Sequence, residues 1–181
     1  MASRTRATIL KTAFTSHFNL RIDSPTNDNR GRPSGKDFRF AIVATRWNES
    51  LVSRLIEGAV EALKESLVDA EAIEIYRVPG SFELPLCALK AAASAKFDAV
   101  ICLGVIIRGD TPHFDYVAAE TARGITEVSL RTGVPVMFGV ITANTVEQAD
   151  ARAGTQADNK GYEAALAAVE LVNLYREQFD Q

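Results

Sequence analysis

Short runs of apolar, largely β-branched residues punctuate the chain at Phe38 to Thr45, Ala72 to Val78, Ala99 to Ile107 and Val134 to Thr142. Most are apolar nearly throughout rather than alternating, as strands covered on both faces are. Between them the pattern lengthens to the helical period. After the first run, Leu51, Val52, Leu55, Ile56, Ala59, Val60 and Leu63 form a helical stripe that begins just past Asn48, a good N-cap by residue type, and predicts a helix to about Leu67. Further helices are predicted from about Ser81 to Ser94, from Phe114 to about Thr132, from Thr145 to Ala153 and from about Lys160 to Gln178. Gly133-Val134-Pro135 restarts the sheet after the Phe114 to Thr132 helix. Strand and helix therefore alternate, which is the signature of βαβ units around a four-stranded parallel sheet in an α/β fold.

Composition narrows the class. Hydrophobic residues make up 47% and charged residues 24% of the 181, a globular profile that suits one domain with a substantial core. No apolar run approaches the roughly 20 residues of a membrane span, so neither an integral membrane protein nor a membrane partner is expected. The formal net charge of −3 averages two unlike parts. Residues 1–36 carry seven Lys/Arg against two Asp, a net +5, and residues 37–181 carry 13 basic and 21 acidic residues, a net −8. The arm is rich in Ser, Thr, Arg and Asn, has no sustained period and ends in Asn27-Asp28-Asn29-Arg30-Gly31-Arg32-Pro33-Ser34-Gly35, which predicts disorder. Its composition fits a solvated tail, a transit peptide or an anionic-surface contact; the lack of a continuous apolar region argues against secretion. Only Phe14 and Phe18 interleave the basic residues, so nucleic acid is not expected as a partner. A cytoplasmic location is expected, with an organelle matrix or stroma as the alternative if residues 1–36 are a transit peptide.

Metal and thiol chemistry find little support. Cys87 and Cys102 fall in apolar stretches without the spacing of a metal pair and read as buried thiols of a reducing compartment. The two histidines, His17 and His113, are far apart in sequence, and no metal site is expected.

In open α/β sheets ligands bind beyond the carboxyl ends of the strands, so the segments just after each strand carry the candidate chemistry. The first strand exits into Arg46-Trp47-Asn48, the second into Val78-Pro79-Gly80-Ser81-Phe82-Glu83, and the third into Arg108-Gly109-Asp110-Thr111-Pro112-His113-Phe114. The fourth strand contributes Phe138 within it and Thr142-Ala143-Asn144 after it. These residues are expected to converge on one edge of the sheet. Trp47 and Phe138 read either as core or as a stacking pair for a flat heterocycle. Glu83 reads either as a favourable charge at a helix start or as an acceptor of polyol hydroxyls. The Gly109-Asp110-Thr111 turn opens a helix, so its free N–H groups suit an anion, although Asp110 opposes one and a separate cation is then required. His113 reads either as a structural histidine or, one turn from the candidate anion site, as a group that moves protons. Arg152 and Lys160 are ordinary solvated charges or the missing cations, and the planar fork of arginine is the better phosphate ligand. Dinucleotide, triphosphate and serine-hydrolase fingerprints (G-x-G-x-x-G after a strand, G-x-x-x-x-G-K-[ST], G-x-S-x-G) are absent. The residues alone thus describe a cofactor-free α/β enzyme for a phosphorylated small molecule and an aromatic ring compound.

Five stretches in this order resemble the lumazine synthase (6,7-dimethyl-8-ribityllumazine synthase) family. They are Phe40-Ala-Ile-Val-Ala-Thr-Arg-Trp-Asn48, Val78-Pro-Gly-Ser-Phe-Glu-Leu-Pro85, Leu103-Gly-Val-Ile-Ile-Arg-Gly-Asp-Thr-Pro-His-Phe-Asp115, Val134-Pro-Val-Met-Phe-Gly-Val140 and Arg152-Ala-Gly-Thr-Gln-Ala-Asp-Asn-Lys-Gly161. The resemblance covers about residues 38–178 and leaves the arm unmatched. It implies a flavodoxin-like three-layer αβα sandwich. The implied activity is that of a transferase condensing 5-amino-6-ribitylaminouracil with 3,4-dihydroxy-2-butanone 4-phosphate, the penultimate step of riboflavin synthesis, without metal or organic cofactor. It implies that Trp47, where many relatives have Phe, stacks on the pyrimidine, and that Asn48, Ser81, Phe82 and Glu83 line the ribityl pocket. Gly109, Asp110 and Thr111 would present donors to the phosphate, with Arg152 as its cation and His113 as proton shuttle. Phe138 would close the ring pocket from a neighbouring subunit, with Lys160 nearby, and Pro112 stands where many relatives have Thr. The resemblance further implies a homopentamer, twelve of which form an icosahedral shell in the members that have a short Gly154 to Gly161 connection, and riboflavin synthase as a partner. Two other classes remain open at this level: a shell protein of the same fold without catalysis, and a flavin- or nucleotide-binding flavodoxin-like module.

Overall fold

The computed structural model describes residue 31 and residues 34–179. The expectation of a disordered arm falls almost wholly outside the described residues. Four strands form one parallel sheet in the order β2-β1-β3-β4: β1 (Phe40–Thr45), β2 (Ile73–Val78), β3 (Ala99–Ile107) and β4 (Val136–Ala143). Helices α1 (Glu49–Glu65), α2 (Leu84–Ala92), α3 (His113–Thr132), the short α4 (Val146–Asp150) and α5 (Lys160–Gln178) connect and cover it.

The continuous apolar strands follow from burial on both faces. In β1, Phe40, Ile42 and Ala44 join Ile101, Leu103 and Val105 of β3 in a core closed by Leu55, Ala59 and Leu63 of α1 and Ala165, Val169 and Val172 of α5. The intervening residues Ala41, Val43, Val100 and Cys102 point the other way, into a second core closed by Leu84 and Ala88 of α2 and Ile125 and Val128 of α3. Residues one apart on a strand face opposite sides, so the two helix layers follow from the strands themselves. The result is the three-layer, flavodoxin-like arrangement.

Differences from the sequence pattern have local causes. The expected Ser81 to Ser94 helix is divided into a 3₁₀ turn, Ser81–Glu83, and α2, which begins one residue before Pro85. A proline lacks the N–H that a continuous helix needs from its interior but fits a first turn. The fourth helix is confined to α4, capped by Thr145, whose hydroxyl accepts from the Gln148 N–H at 3.3 Å. Asn48 precedes α1 as expected but does not cap it through its side chain. Its backbone is left-handed (φ 58°), outside the extended region in which a side-chain cap reaches back to the helix, and its amide donates instead to the Val105 carbonyl at 2.9 Å. Gly133, also left-handed (φ 72°), ends α3 and gives the turn into β4 without the steric cost of a Cβ.

One buried side chain fixes the last crossover. Asn159 donates to the carbonyls of Arg54 and Gly154, both at 2.9 Å, and accepts from the N–H groups of Gly161 at 2.9 Å and Tyr162 at 3.1 Å. It therefore caps α5, closes the 154–159 loop and ties both to α1. The contact is close on both sides: a Cβ on Gly58 would lie 2.5 Å from Asn159 Oδ1, and one on Gly161 would lie 2.0 Å from the Leu55 carbonyl oxygen. Arg152 and Lys160 are joined across the same loop by a backbone bond of 3.0 Å from the Lys160 N–H to the Arg152 carbonyl. Asn159→Ala removes four side-chain-to-backbone bonds at once. It is expected to cost about 3 kcal/mol or more, read as a lowered urea midpoint at fixed protein concentration. An unchanged midpoint would mean that water replaces all four bonds.

Candidate active site

The exits of β1, β2 and β3 meet around a cavity of about 230 Å³. Trp47, Asn48, Ser81, Gly109, Thr111 and His113 line it, with an apolar floor from Val105, Ile106 and Ile107 of β3 and Phe114 and Val117 of α3. Its walls are set by backbone bonds between neighbouring exits. The Arg46 N–H donates to the Val78 carbonyl at 2.8 Å and the Trp47 N–H to the Pro79 carbonyl at 3.2 Å, so the β1 exit is laced to the β2 exit.

Trp47 is 67% exposed, which excludes the core reading of its indole. The ring lies against Gly80: a Cβ there would stand 2.9 Å from both Cε3 and Cζ3. The same glycine donates its N–H to Glu83 Oε2 at 2.8 Å, so one backbone position seats the indole and fixes the carboxylate. Glu83 is exposed, and this bond leaves its other oxygen open. Ser81 is buried at the cavity wall, and its hydroxyl makes no hydrogen bond among the described residues. Phe82 and Asp110 are exposed and do not line the cavity.

Along the third exit, the N–H groups of Gly109, Asp110 and Thr111 make no hydrogen bonds among the described residues and precede the 20-residue α3. Free donors at the positive end of a long helix suit an anion. His113, the first residue of α3, is exposed and its ring makes no hydrogen bond among the described residues, leaving it available for proton transfer. Neither cysteine offers a nucleophile. Burial pushes the thiol of Cys102 far up and that of the half-buried Cys87 up as well, and each stays protonated near neutrality. Among the described residues, no group of three His, Cys, Asp or Glu side chains is placed to hold a metal ion.

Of the residues expected at this edge, Asn144 meets Arg108 at 3.1 Å, whereas Phe138 does not line the Trp47 cavity within a single chain. Phe138, Arg152 and Lys160 line a second cavity of about 450 Å³, walled by β4 and by Glu163, Ala164 and Ala167 of α5, and the two cavities share no lining residue. The reason is topological. β4 is an edge strand, and Phe138, 46% exposed, sits on that edge rather than over the central β1 and β3. Lys160 is committed to Glu163 at 2.5 Å. Among the described residues the Arg152 guanidinium donates only to the Gln148 carbonyl, at 2.9 Å, and has no carboxylate partner. Among the lining residues, the Trp47 cavity thus has no cation, and the second cavity has an arginine without a carboxylate partner among the described residues.

Sequence comparison adds independent support. Residues 37–176 match the family model described as 6,7-dimethyl-8-ribityllumazine synthase. A protein of that name from Syntrophus aciditrophicus (strain SB) is 54% identical over 147 residues, 81% of this chain and 96% of the relative. One from Chlorobium luteolum is 55% identical over 146 residues, 81% of this chain and 94% of the relative. With five motifs in order, a sheet of the implied topology and a match over nearly the whole folded body, the chain belongs to the 6,7-dimethyl-8-ribityllumazine synthase family.

Proposed function

We propose that the chain is a transferase that condenses 5-amino-6-ribitylaminouracil with 3,4-dihydroxy-2-butanone 4-phosphate to 6,7-dimethyl-8-ribityllumazine, in a site completed by a second copy of itself. The observation that carries this reading is the complementarity of the two lobes: an aromatic platform with anion donors and a histidine on one, an aromatic edge with an unpaired arginine on the other. The indole of Trp47 stacks on the pyrimidine. Asn48, Ser81, Phe82 and Glu83 surround the ribityl chain, with the open Glu83 oxygen accepting from its hydroxyls. Backbone donors of Gly109, Asp110 and Thr111 hold the phosphate, Arg152 of the neighbouring copy supplies its cation, and Phe138 of that copy covers the ring, with Lys160 beside it.

The chemistry asks for orientation more than for a strong nucleophile. The pyrimidine amine adds to the ketone and water leaves to give an imine; a proton is then removed and phosphate departs by elimination. The second nitrogen closes the ring and a second water is lost. His113 carries protons to and from these steps, and no metal or organic cofactor takes part. Bringing two bound substrates into register supplies most of the acceleration.

The assembly that brings lobes together is a homopentamer, and the short Gly154 to Gly161 connection favours twelve pentamers in an icosahedral shell. The cytoplasm is the proposed location, with an organelle if residues 1–36 are a transit peptide; no described helix is long and apolar enough to cross a membrane. Riboflavin synthase is the partner that would take up the product.

Mixing the purified protein with both substrates is expected to yield the fluorescent lumazine, and no acceleration over the uncatalysed reaction would overturn the assignment. Arg152→Ala is expected to raise KM for the butanone phosphate while leaving pyrimidine binding nearly unchanged; an equal loss of both would remove Arg152 from the phosphate. Arg152→Ala and His113→Ala chains, each slowed alone, are expected on co-assembly to regain about a quarter of wild-type activity, the share of random interfaces with both lobes intact. No gain on mixing would place the whole site in one chain. Sedimentation is expected near about 1.2 MDa for the shell against about 0.1 MDa for a lone pentamer.

A further inference from the structure

Arg108 lies between the last residue of β3 and the Gly109-Asp110-Thr111 turn, where a cation would ordinarily be read as an anion ligand. Its guanidinium is otherwise engaged. Nη2 donates to Asp115 Oδ1 at 2.6 Å and Nη1 to Asp115 Oδ2 at 3.2 Å, a two-pronged pair, while Nε donates to Asn144 Oδ1 at 3.1 Å. The face of the group lies 4.1 Å from the centre of the Phe114 ring. Its backbone N–H donates to the Ala143 carbonyl at 2.9 Å, and so continues the β3–β4 ladder by one step. One side chain therefore joins the end of β3, the segment after β4 and the first turn of α3.

We propose that Arg108 is a positioning residue, which braces both ends of the 109–112 turn and thereby sets His113 and the floor residue Phe114, and that it does not itself bind the anion. The turn has four residues; Arg108 itself precedes it, and its guanidinium holds Phe114 and Asp115, which flank His113 on its far side in the first turn of α3. Phe114 lines the Trp47 cavity, and the guanidinium against its ring restricts where that floor stands. The hydrogen bonds from Arg108 hold the Asp115 carboxyl below the usual carboxylate range, so the partner is ionised near neutrality and the pair is electrically closed. Closure has a consequence for the anion: the turn keeps its N–H donors but gains no net positive charge from Arg108, and the cation must come from elsewhere. Lysine does not replace this group, because a single ammonium lacks the planar fork that meets a carboxylate, an amide and a ring together.

The inference rests on the proposed condensation for its kinetic arm but not for its structural one. Arg108→Lys, Asp115→Asn, their double variant and Asp115→Glu are compared with the wild type by hydrogen exchange of the intact assembly and by steady-state kinetics. Exchange in peptides covering 109–117 is expected to rise about tenfold or more in both single variants, with β1 peptides unchanged. Turnover is expected to fall about ten- to a hundredfold in each, through misplaced reacting groups. The double variant should be no worse than the poorer single one, because both break one interaction, and Asp115→Glu, which keeps the charge, should recover part of the loss. Pyrimidine binding, read by quenching of Trp47, the only tryptophan of the chain, should stay within about twofold of wild type. The clamp is overturned if Asp115→Asn leaves exchange unchanged, or if it leaves turnover intact while Arg108→Lys raises KM for the phosphorylated ketone, since Arg108 would then be an anion ligand. A wild type that forms no lumazine sinks the condensation and leaves the exchange result to judge the clamp alone.

Discussion

Parallel pairing of the four strands is the constraint on which the rest depends. Because β1 pairs in parallel with both β2 and β3, and β3 with β4, every connection must return the chain to the opposite end of the sheet, and all four strand exits fall on one side. The helices that make those returns cover both faces, which is why the strands are apolar throughout and why polar chemistry is displaced to the exits. Trp47, Gly80, Ser81, Gly109 and His113, from three separate exits, meet for this reason and for no local one.

The same constraint divides the site. A sheet in the order β2-β1-β3-β4 places β1 and β3 at its centre, so their exits share one hollow, whereas β4 delivers Phe138 to an open edge beside the loop carrying Arg152. The two lobes are incomplete in opposite ways. Trp47 on one and Phe138 on the other are exposed aromatics, whose hydration is unfavourable and which the proposed second copy would cover. In the proposed assembly, catalysis and association would draw on the same surface.

Elements were legible where burial governs the sequence. β3 and α5 follow the apolar pattern to the residue, and Gly133 marks the end of α3. Residue type misled where the backbone is unusual: Asn48 has the chemistry of a cap, but its left-handed conformation sends the amide to β3, a choice set by tertiary contact. The positioning groups were illegible for a different reason. Asn159 looks like an ordinary loop residue because its four partners lie on α1, α5 and its own loop, and only packing brings Arg54 to it. Arg108 reads as a free cation until Asp115 and Asn144 are seen to meet it. The site candidates were legible through motifs, and the resemblance already implied that Phe138 comes from a neighbouring subunit; what a linear sequence does not display is the strand order that puts β4 at the edge of the sheet.

Charge carries the argument one step further. A body of net −8 is an unpromising receptor for a phosphorylated substrate if only the overall field is considered. Yet the field of scattered surface charges is screened over about 8 to 10 Å at ordinary ionic strength, so an anion is governed by what lies within a few ångströms. There the fold provides unpaired N–H groups at the start of α3 and withholds the nearest cation by pairing it with Asp115. A turn so arranged keeps its N–H donors but has its adjacent cation paired, so the proposed anion would need an arginine with no carboxylate partner brought against it. Arg152 meets that description among the described residues, and the edge of β4 keeps it out of its own chain's turn. On the proposed reading, the separation of donors from cation is what would link occupancy of the site to contact between copies.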